Sequence, residues 1–293
     1  MKEYINVKAL DLSKLPDNVS ISTMSATCSL DVDVELANIF NYMMLDKNYI
    51  STIKFKGEIK SLEKQSKRKR KKSVKSFQNQ LTVEIRPDIE NLPDNKISIK
   101  IFKNGSIQMS GVKSLHACNL ALVKLITSLS KEYGVIIENK IHDIKFISDK
   151  KSIKVNRYKV DMINSNFNIN YEVNRENLYN ILLNKKIECR YEPSIHACVN
   201  IKFRPTNSIK NISIFVFQSG HIIITGAKNI ENITESFDYI TKLLGTHQTE
   251  IEKSKISDIL FDSINDELRE LLKVDDDDNL AKIALSKNST SYI

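Results

Sequence analysis

The stretch Phe217-Gln-Ser-Gly-His-Ile-Ile-Ile-Thr-Gly-Ala-Lys228 predicts two short strands joined by a tight turn. Large apolar side chains alternate with other residues in both arms, and a period of two is typical of a half-buried strand. Gly220 supplies the positive φ that such a turn needs. The chain contains only seven glycines, so Gly220 at the turn and Gly226 near the end of the second strand are informative.

The same pattern occurs earlier, in Phe102-Lys-Asn-Gly-Ser-Ile-Gln-Met-Ser-Gly-Val-Lys113. The two stretches match at the Phe, at both Gly, at the first Ile and at the final Lys. Gly226 follows its counterpart Gly111 by 115 residues. Solenoid repeats have periods of roughly 20–50 residues, so this longer period indicates one duplicated domain half and not an array.

Two copies of Phe-x-x-Gly-x-Ile-x-x-(Ser/Thr)-Gly-(Ala/Val)-Lys, each followed by a predicted helix, resemble the TATA-box-binding protein family, and in particular its divergent viral members. Tyr191-Glu192-Pro193 matches the second stirrup of that family, and the resemblance covers residues 17–246. It implies an α+β fold. That fold is a duplicated saddle, in which a curved antiparallel β-sheet carries helices on its convex face.

The organisation expected from this resemblance has four parts. They are an N-terminal lead (1–16), a first repeat (17–134) with a basic insertion (57–76), a second repeat (135–246), and a C-terminal helix with an acidic tail (247–293). Strands are predicted at 18–30, 77–87, 96–113 and 195–205, and helices at 114–131, 174–186, 229–244 and 250–273. Asp31 or Asp33 is placed to cap a helix that begins near Val34, and Tyr133-Gly134 is expected to end helix 114–131.

The positive charge is concentrated in one segment. The chain carries a net charge of +8, but residues 51–76 hold eleven Lys or Arg and two Glu, whereas residues 246–293 carry −5. The basic composition is therefore poor support for nucleic-acid binding by the folded core. The run Lys67–Lys72 repels itself and is read as a solvated insertion, a nuclear localisation signal or a phosphate-binding arm.

Several function classes are disfavoured. No apolar run is long enough to span a bilayer, and the N-terminus has no secretory apolar segment, so neither a membrane nor a secreted protein is expected. The four cysteines form no CxxC pair, which favours buried thiols in a reducing compartment. The five histidines show no metal-ligand or triad spacing, and there is no glycine-rich phosphate loop. We therefore expect no enzyme, no metal and no cofactor.

The resemblance implies that the concave sheet face binds the minor groove of AT-rich promoter DNA. In that family, apolar wedges partly unstack base steps and kink the duplex. The resemblance implies the same mechanism for this chain. Carried over by position, the DNA-binding residues are the wedges Phe102, Phe217 and Phe77, the base-contacting Ser110 and Thr225, and the phosphate-facing Lys113 and Lys228. Strand parity adds Phe215 and Ile223 to the concave face of the second half. Strand parity places Lys100 and Gln108 on the same face as Phe102.

The sequence departs from the family pattern at four positions. Ile195 stands where the second upstream wedge is expected, ten residues before Pro205. Alignment on the strand that contains Cys28 puts Ser25 at the first of two central asparagine positions and Asp161 at the second. Lys100 replaces an apolar residue on the first face. Because a carboxylate is unfavourable in an electronegative groove, ordinary TATA recognition is in doubt.

Two function hypotheses follow. The first is an initiation factor that bends AT-rich double-stranded promoter DNA and recruits a B-type general transcription factor and RNA polymerase through Tyr191 and Glu192. It would act in the nucleus or at a site of viral transcription in the host cytoplasm. The second is a protein-interaction platform that keeps the saddle but has weak or no TATA-specific binding. A third possibility is that DNA affinity comes from the basic run 67–72 alone.

Overall fold

The structure is a computed structural model that describes residues 3–6, 10, 12–63, 79–87 and 96–253. Residues 1–251 form one compact unit, and residues 252–293 form a second. The expected wedge Phe77, the basic run 67–72 and the predicted C-terminal helix beyond residue 253 lie outside the described residues.

The first unit alternates strands and helices in two similar series. The first series comprises a 3-10 turn (Leu12–Lys14), β1 (Ser20–Ser29), α1 (Leu36–Tyr42), β2 (Ile50–Phe55), β3 (Glu58–Ser61), β4 (Gln80–Ile85), β5 (Ile97–Phe102), β6 (Ser106–Val112) and α2 (Leu115–Leu129). A hairpin of β7 (Tyr133–Ile137) and β8 (Lys140–Ile144) follows. The second series comprises β9 (Asn156–Asn168), α3 (Arg175–Asn184), β10 (Cys189–Arg190), β11 (Cys198–Phe203), β12 (Ile212–Phe217), β13 (His221–Ala227), α4 (Ile230–Thr246) and α5 (Gln248–Ile251).

The two series build one antiparallel sheet of eleven strands. Its order is β10-β11-β12-β13-β9-β1-β6-β5-β4-β2-β3, and β7 and β8 pair only with each other. Read outward from the central pair of β9 and β1, both sides follow the same order of equivalent strands, except that β3 adds one strand to the first side. The repeat seen in the sequence is therefore also a repeat of topology.

One face of this sheet packs on the helices and the other is open. In β5, Ile97, Ile99 and Ile101 are fully buried, while the residues between them are half-buried. The buried strand residues join the apolar faces of α2 and α4 in a single core. The α2 residues predicted to form its apolar face are all buried; they are Cys118, Ala121, Leu122, Leu125 and Leu129. The predicted α+β class and the open face are thus confirmed.

Three of the helices begin at side-chain caps. The Ser114 hydroxyl accepts a hydrogen bond from the Ala117 amide at 3.1 Å, and Asn174 and Asn229 cap α3 and α4 in the same way. The predicted cap of α1 by Asp31 or Asp33 is wrong. Glu35 occupies the N-cap position of α1 without a side-chain bond. Asp31 instead adopts a positive φ of 54° and contacts the start of β9.

Two further predictions about element ends are corrected. Helix α2 ends at Leu129 with Ser130 as its C-cap, and Tyr133 and Gly134 begin β7 instead of stopping the helix. The insertion predicted at 57–76 starts with regular structure, because β3 pairs with β2 along its whole length.

In the described part of the chain, no helix is both long enough and apolar enough to cross a membrane.

Candidate nucleic-acid interface

On the open face, the two copies of the repeated stretch flank the central strands β9 and β1, one copy on each side. In the first half, Lys100 of β5 lies opposite Gln108 of β6, and in the second half Phe215 of β12 lies opposite Ile223 of β13. All the face residues predicted by strand parity lie on this open face; they are Lys100, Phe102, Gln108, Ser110, Phe215, Phe217, Ile223 and Thr225. A continuous open face of this width is suited to an extended ligand.

Phe102 and Phe217 occupy equivalent places, at the last residue of β5 and of β12. Both rings are half-buried. Phe102 lines a shallow hollow with Thr27, Arg157 and Lys159. The Phe217 ring centroid lies 6.1 Å from that of His221, just across the hairpin turn. Each aromatic ring therefore stands at the end of a strand on the open face, but the first has cationic neighbours and the second has an imidazole.

A ladder of three amides runs along the open face of β9, and the sequence analysis missed it. Asn164 accepts a hydrogen bond from the Thr225 hydroxyl at 2.5 Å. Asn166 is bonded to Ser20 and Ser22 of β1, and Asn168 lies 3.0 Å from His221 Nδ1. The alternation of Asn164, Asn166 and Asn168 with the buried Ile163, Ser165 and Phe167 was the available signal.

The centre of the face differs from the expected arrangement. Ser25 lies opposite Met162 in the pair of β1 and β9, so Asp161 is not its partner. Asp161 falls at a register shift and forms an ion pair with Lys159 at 3.3 Å. The carboxylate thus has a cation beside it, which offsets its charge at the sheet centre.

Lys113 and Lys228 both follow the last strand of a hairpin and are exposed. Lys113 comes directly after β6, and Lys228 directly after β13. The Lys228 backbone amide donates to Asn232 Oδ1, which fixes the chain where it enters α4. Neither ammonium group forms an ion pair with a described residue, so both remain available to a ligand.

The predicted partner-binding residues lie in the turn between β10 and β11. Tyr191 packs against Tyr179 with ring centroids 5.8 Å apart, and the Arg175 guanidinium lies 5.6 Å from the Tyr191 ring. Glu192 is exposed, and its carbonyl accepts hydrogen bonds from the Ile195 and His196 amides. Ile195 is therefore in a tight turn and 66% exposed, and it does not begin a strand as predicted.

Two of the cysteine thiols and the Tyr158 hydroxyl lie in or beside the core. Burial raises the pKa of the Cys28 and Cys118 thiols to about 12, so both stay protonated and unreactive near neutral pH. Burial also raises the pKa of Tyr158, which neighbours both. Within the described ranges, no three His, Cys, Asp or Glu side chains cluster closely enough to hold a metal ion.

Comparison with known proteins gives consistent results. The family model described as "Transcription factor TFIID (or TATA-binding protein, TBP)" matches residues 157–247. A TATA-box-binding protein-like protein of Acanthamoeba polyphaga mimivirus is 37% identical over an alignment of 268 residues, and the match covers 86% of this chain and 71% of that protein. The TATA-box-binding protein of Methanococcus vannielii is 24% identical over 161 residues, covering 55% of this chain and 75% of that protein.

A solved structure shows the same fold. The TBP of Methanococcus jannaschii matches with a TM-score of 0.50 and 17% identity, over 78% of this chain and 99% of that structure. The fold is thus the duplicated α+β saddle, as the two hairpin copies indicated. Because the chain covers more than two thirds of a relative that is over 30% identical, the protein is a divergent, virus-like member of the TATA-box-binding protein family of transcription factors.

Proposed function

We propose that this protein binds double-stranded, AT-rich promoter DNA through its open face, from the minor-groove side, and bends it. The observation that carries the proposal is that Phe102 and Phe217 stand at equivalent strand ends, one in each half of a continuous open face. A planar ring at each end can replace the base stacking lost when a step is opened, and TA steps are the least costly to deform.

The amide ladder supports the AT preference. Asn164 Oδ1 accepts the Thr225 hydroxyl. Among the described residues, none accepts a hydrogen bond from Asn164 Nδ2, so its N–H groups can donate towards a ligand. An A·T pair presents only acceptors in the minor groove, whereas a G·C pair adds a guanine amino donor. An outward-facing N–H donor therefore favours A·T. Ser110 and Thr225 would contact the bases of the first and the second half of the site, respectively.

Phosphate contacts would come from the ends of the hairpins. Lys113 and Lys228 are exposed and equivalent in the repeat, which suits them to the two DNA backbones. Phe215 and Ile223 would provide the apolar floor of the second half. Phe77 would be the partner wedge of the first half, and Ile195 would take the corresponding wedge position in the second. The two repeats would then be residues 17–134 and 135–246, flanked by the lead and the C-terminal segment.

Recruitment would occur at the second stirrup. Tyr191 is held by Tyr179 and Arg175, which leaves Glu192 projecting at a turn of fixed shape. Such a turn offers a partner one acidic and one aromatic contact. We propose a B-type general transcription factor, and with it RNA polymerase, as that partner. The protein would act in the nucleus or at a site of viral transcription in the host cytoplasm.

The test is fluorescence anisotropy of a TATA-containing duplex against a GC-rich duplex of equal length, at low and near-physiological salt. Energy transfer between labelled duplex ends reports bending. We expect AT-selective binding that survives moderate salt and brings the ends closer. A variant lacking residues 67–72 should retain selectivity. Loss of all binding in that variant, with Phe102→Ala and Phe217→Ala unaffected, would contradict the proposal.

A second function is favoured by the centre of the face. Ser25 and Met162 offer no amide to the central base pairs, and the first half has Lys100 where the second has Phe215. A protein platform without stable DNA binding would fit these substitutions. It predicts no AT selectivity at any salt concentration, together with binding of a B-type factor that Glu192→Lys abolishes.

A further inference from the structure

One cross-strand row on the first half of the open face is rich in lysine. Successive register partners across β2, β4, β5, β6, β1 and β9 are Lys54, Thr82, Lys100, Gln108, Thr27 and Lys159. Cross-strand partners point to the same face of a sheet. Adjacent strands are about 4.8 Å apart, so Lys100 and Lys159 are about 14 Å apart, across three strand intervals.

The equivalent row on the second half carries one cation, at its outer end, where the lysine row carries three. Its register partners across β10, β11, β12, β13, β9 and β1 are Arg190, Asn200, Phe215, Ile223, Asn166 and Ser20. Lys100 and Phe215 are equivalent, because each lies two residues before the matched phenylalanine of its hairpin. Gln108 and Ile223 are also equivalent, because each lies six residues after that phenylalanine. The halves therefore share backbone geometry and an outer cation, but the first presents Lys100 and Gln108 where the second presents Phe215 and Ile223.

Within the lysine row, Lys100 has the least compensated charge. Lys54 forms an ion pair with Glu84, and Lys159 forms one with Asp161. No carboxylate of the described residues forms an ion pair with Lys100, whose side chain is half-exposed between Thr82 and Gln108. The Lys100 ammonium group is therefore available to pair with an anionic ligand on this face.

We propose that the two halves hold DNA by different chemistry, an inference that rests on the proposed function. The first half inserts the Lys100 ammonium group into the negative potential of a narrow minor groove, as A-tracts provide. The second half places Phe215 and Ile223 against base edges in a groove opened at a deformable step. The preference of the first half, over residues 97–112, for an A-tract therefore depends on Lys100.

Reciprocal exchange of the two equivalent residues tests this. Lys100→Phe gives the first half the chemistry of the second, and Phe215→Lys does the reverse. The slope of log K against log salt should become shallower by about 0.9 in Lys100→Phe, and steeper by about the same amount in Phe215→Lys. Over a fourfold rise in salt, this slope change is worth about a 3.5-fold difference in affinity. Lys100→Met controls for the added ring.

Lys54→Met is the matched control on the same row, because Glu84 already offsets that charge; its slope should change less than that of Lys100→Met. A duplex with an A-tract on one side of a TA step should bind the wild type more tightly than a duplex with TA steps on both sides. Lys100→Phe should lose this preference.

If the wild type binds and bends DNA but Lys100→Phe and Lys100→Met leave the salt slope unchanged, the inference is overturned and the proposed function stands. If the wild type shows no AT-selective binding, the proposed function itself has failed.

Discussion

Ser25 and Met162 lie opposite each other where the two halves of the sheet meet, in the antiparallel pair of β1 and β9. This contact puts a hydroxyl and a thioether at the midpoint of the open face. The nearest amide donor is displaced along β9 to Asn164, which pairs with Thr23 in β1 and with Thr225 in β13. Recognition of A·T pairs by amide hydrogen bonds is therefore expected off-centre, in the second half.

Asn164→Ala should reduce selectivity for the AT-rich duplex over the GC-rich duplex. One well-placed hydrogen-bonding side chain contributes about 1–3 kcal/mol of discrimination, so a roughly 5- to 150-fold loss is expected. Competition anisotropy measures the ratio. Asn168→Ala, at the outer end of the same ladder, is the control and should retain most of the selectivity. Equal losses in both variants would argue against a specific role for Asn164.

Phe102→Ala and Phe217→Ala should each weaken DNA binding and reduce the bend. Stacking of an aromatic ring on a base contributes about 1–3 kcal/mol in alanine-substitution experiments. Energy transfer between labelled duplex ends and anisotropy provide the two readouts. Phe203→Ala is a useful contrast, because Phe203 stacks on Tyr239 of α4 at 4.4 Å, on the helix side. That variant should be less stable, but the fraction of the protein that remains folded should still bend the duplex.

Gly220→Ala should be much more destabilising than Gly226→Ala. Both residues have positive φ, 77° and 101°, which costs an L-residue about 1–2 kcal/mol. At Gly220 an added Cβ would also lie 2.5 Å from the Tyr171 carbonyl oxygen, whereas at Gly226 nothing lies closer than 3.9 Å. Urea denaturation should show the difference. Similar midpoints for the two variants would mean that the turn relaxes easily.

Cys28 and Cys118 should resist alkylation in the folded protein. Their burial and raised pKa, about 12, leave almost no thiolate at pH 8. Cys189 is only half-buried and should react first. Mass spectrometry after a short iodoacetamide treatment locates the label, and the same treatment in denaturant should label all four. Rapid labelling of Cys118 under native conditions would contradict the packing of α2 on the sheet.

Asp31 should contribute to stability in a pH-dependent way. Hydrogen bonds from Ser29, and then from Asn156 and Arg157, hold the pKa of this carboxyl below its usual value. The contribution is therefore present above the usual aspartate pKa, near 4, and is lost as the pH falls through the lower folded-state value. Asp31→Asn should be less stable than the wild type near neutral pH, and the two should converge in acid. Parallel stability curves would refute this.

The hairpins, their turn glycines and the caps Asn174 and Asn229 were predictable, because each depends on residues within a few positions along the chain. A positive φ at Gly220 is a property of that residue, and the period of two in Ile97–Phe102 fixes which side chains share a face. The duplication was also readable, since matched motifs 115 residues apart require matched folds.

The tertiary structure alone decided how distant strands align. The register of β1 on β9 shifts at three places, and each shift changes which side chains meet. A slip of one residue reverses the face that a side chain occupies, so Met162, and not Asp161, faces Ser25. The same holds for the lysine row, whose members come from six strands. Local sequence fixes the alternation within a strand, but packing of the whole sheet fixes its neighbours.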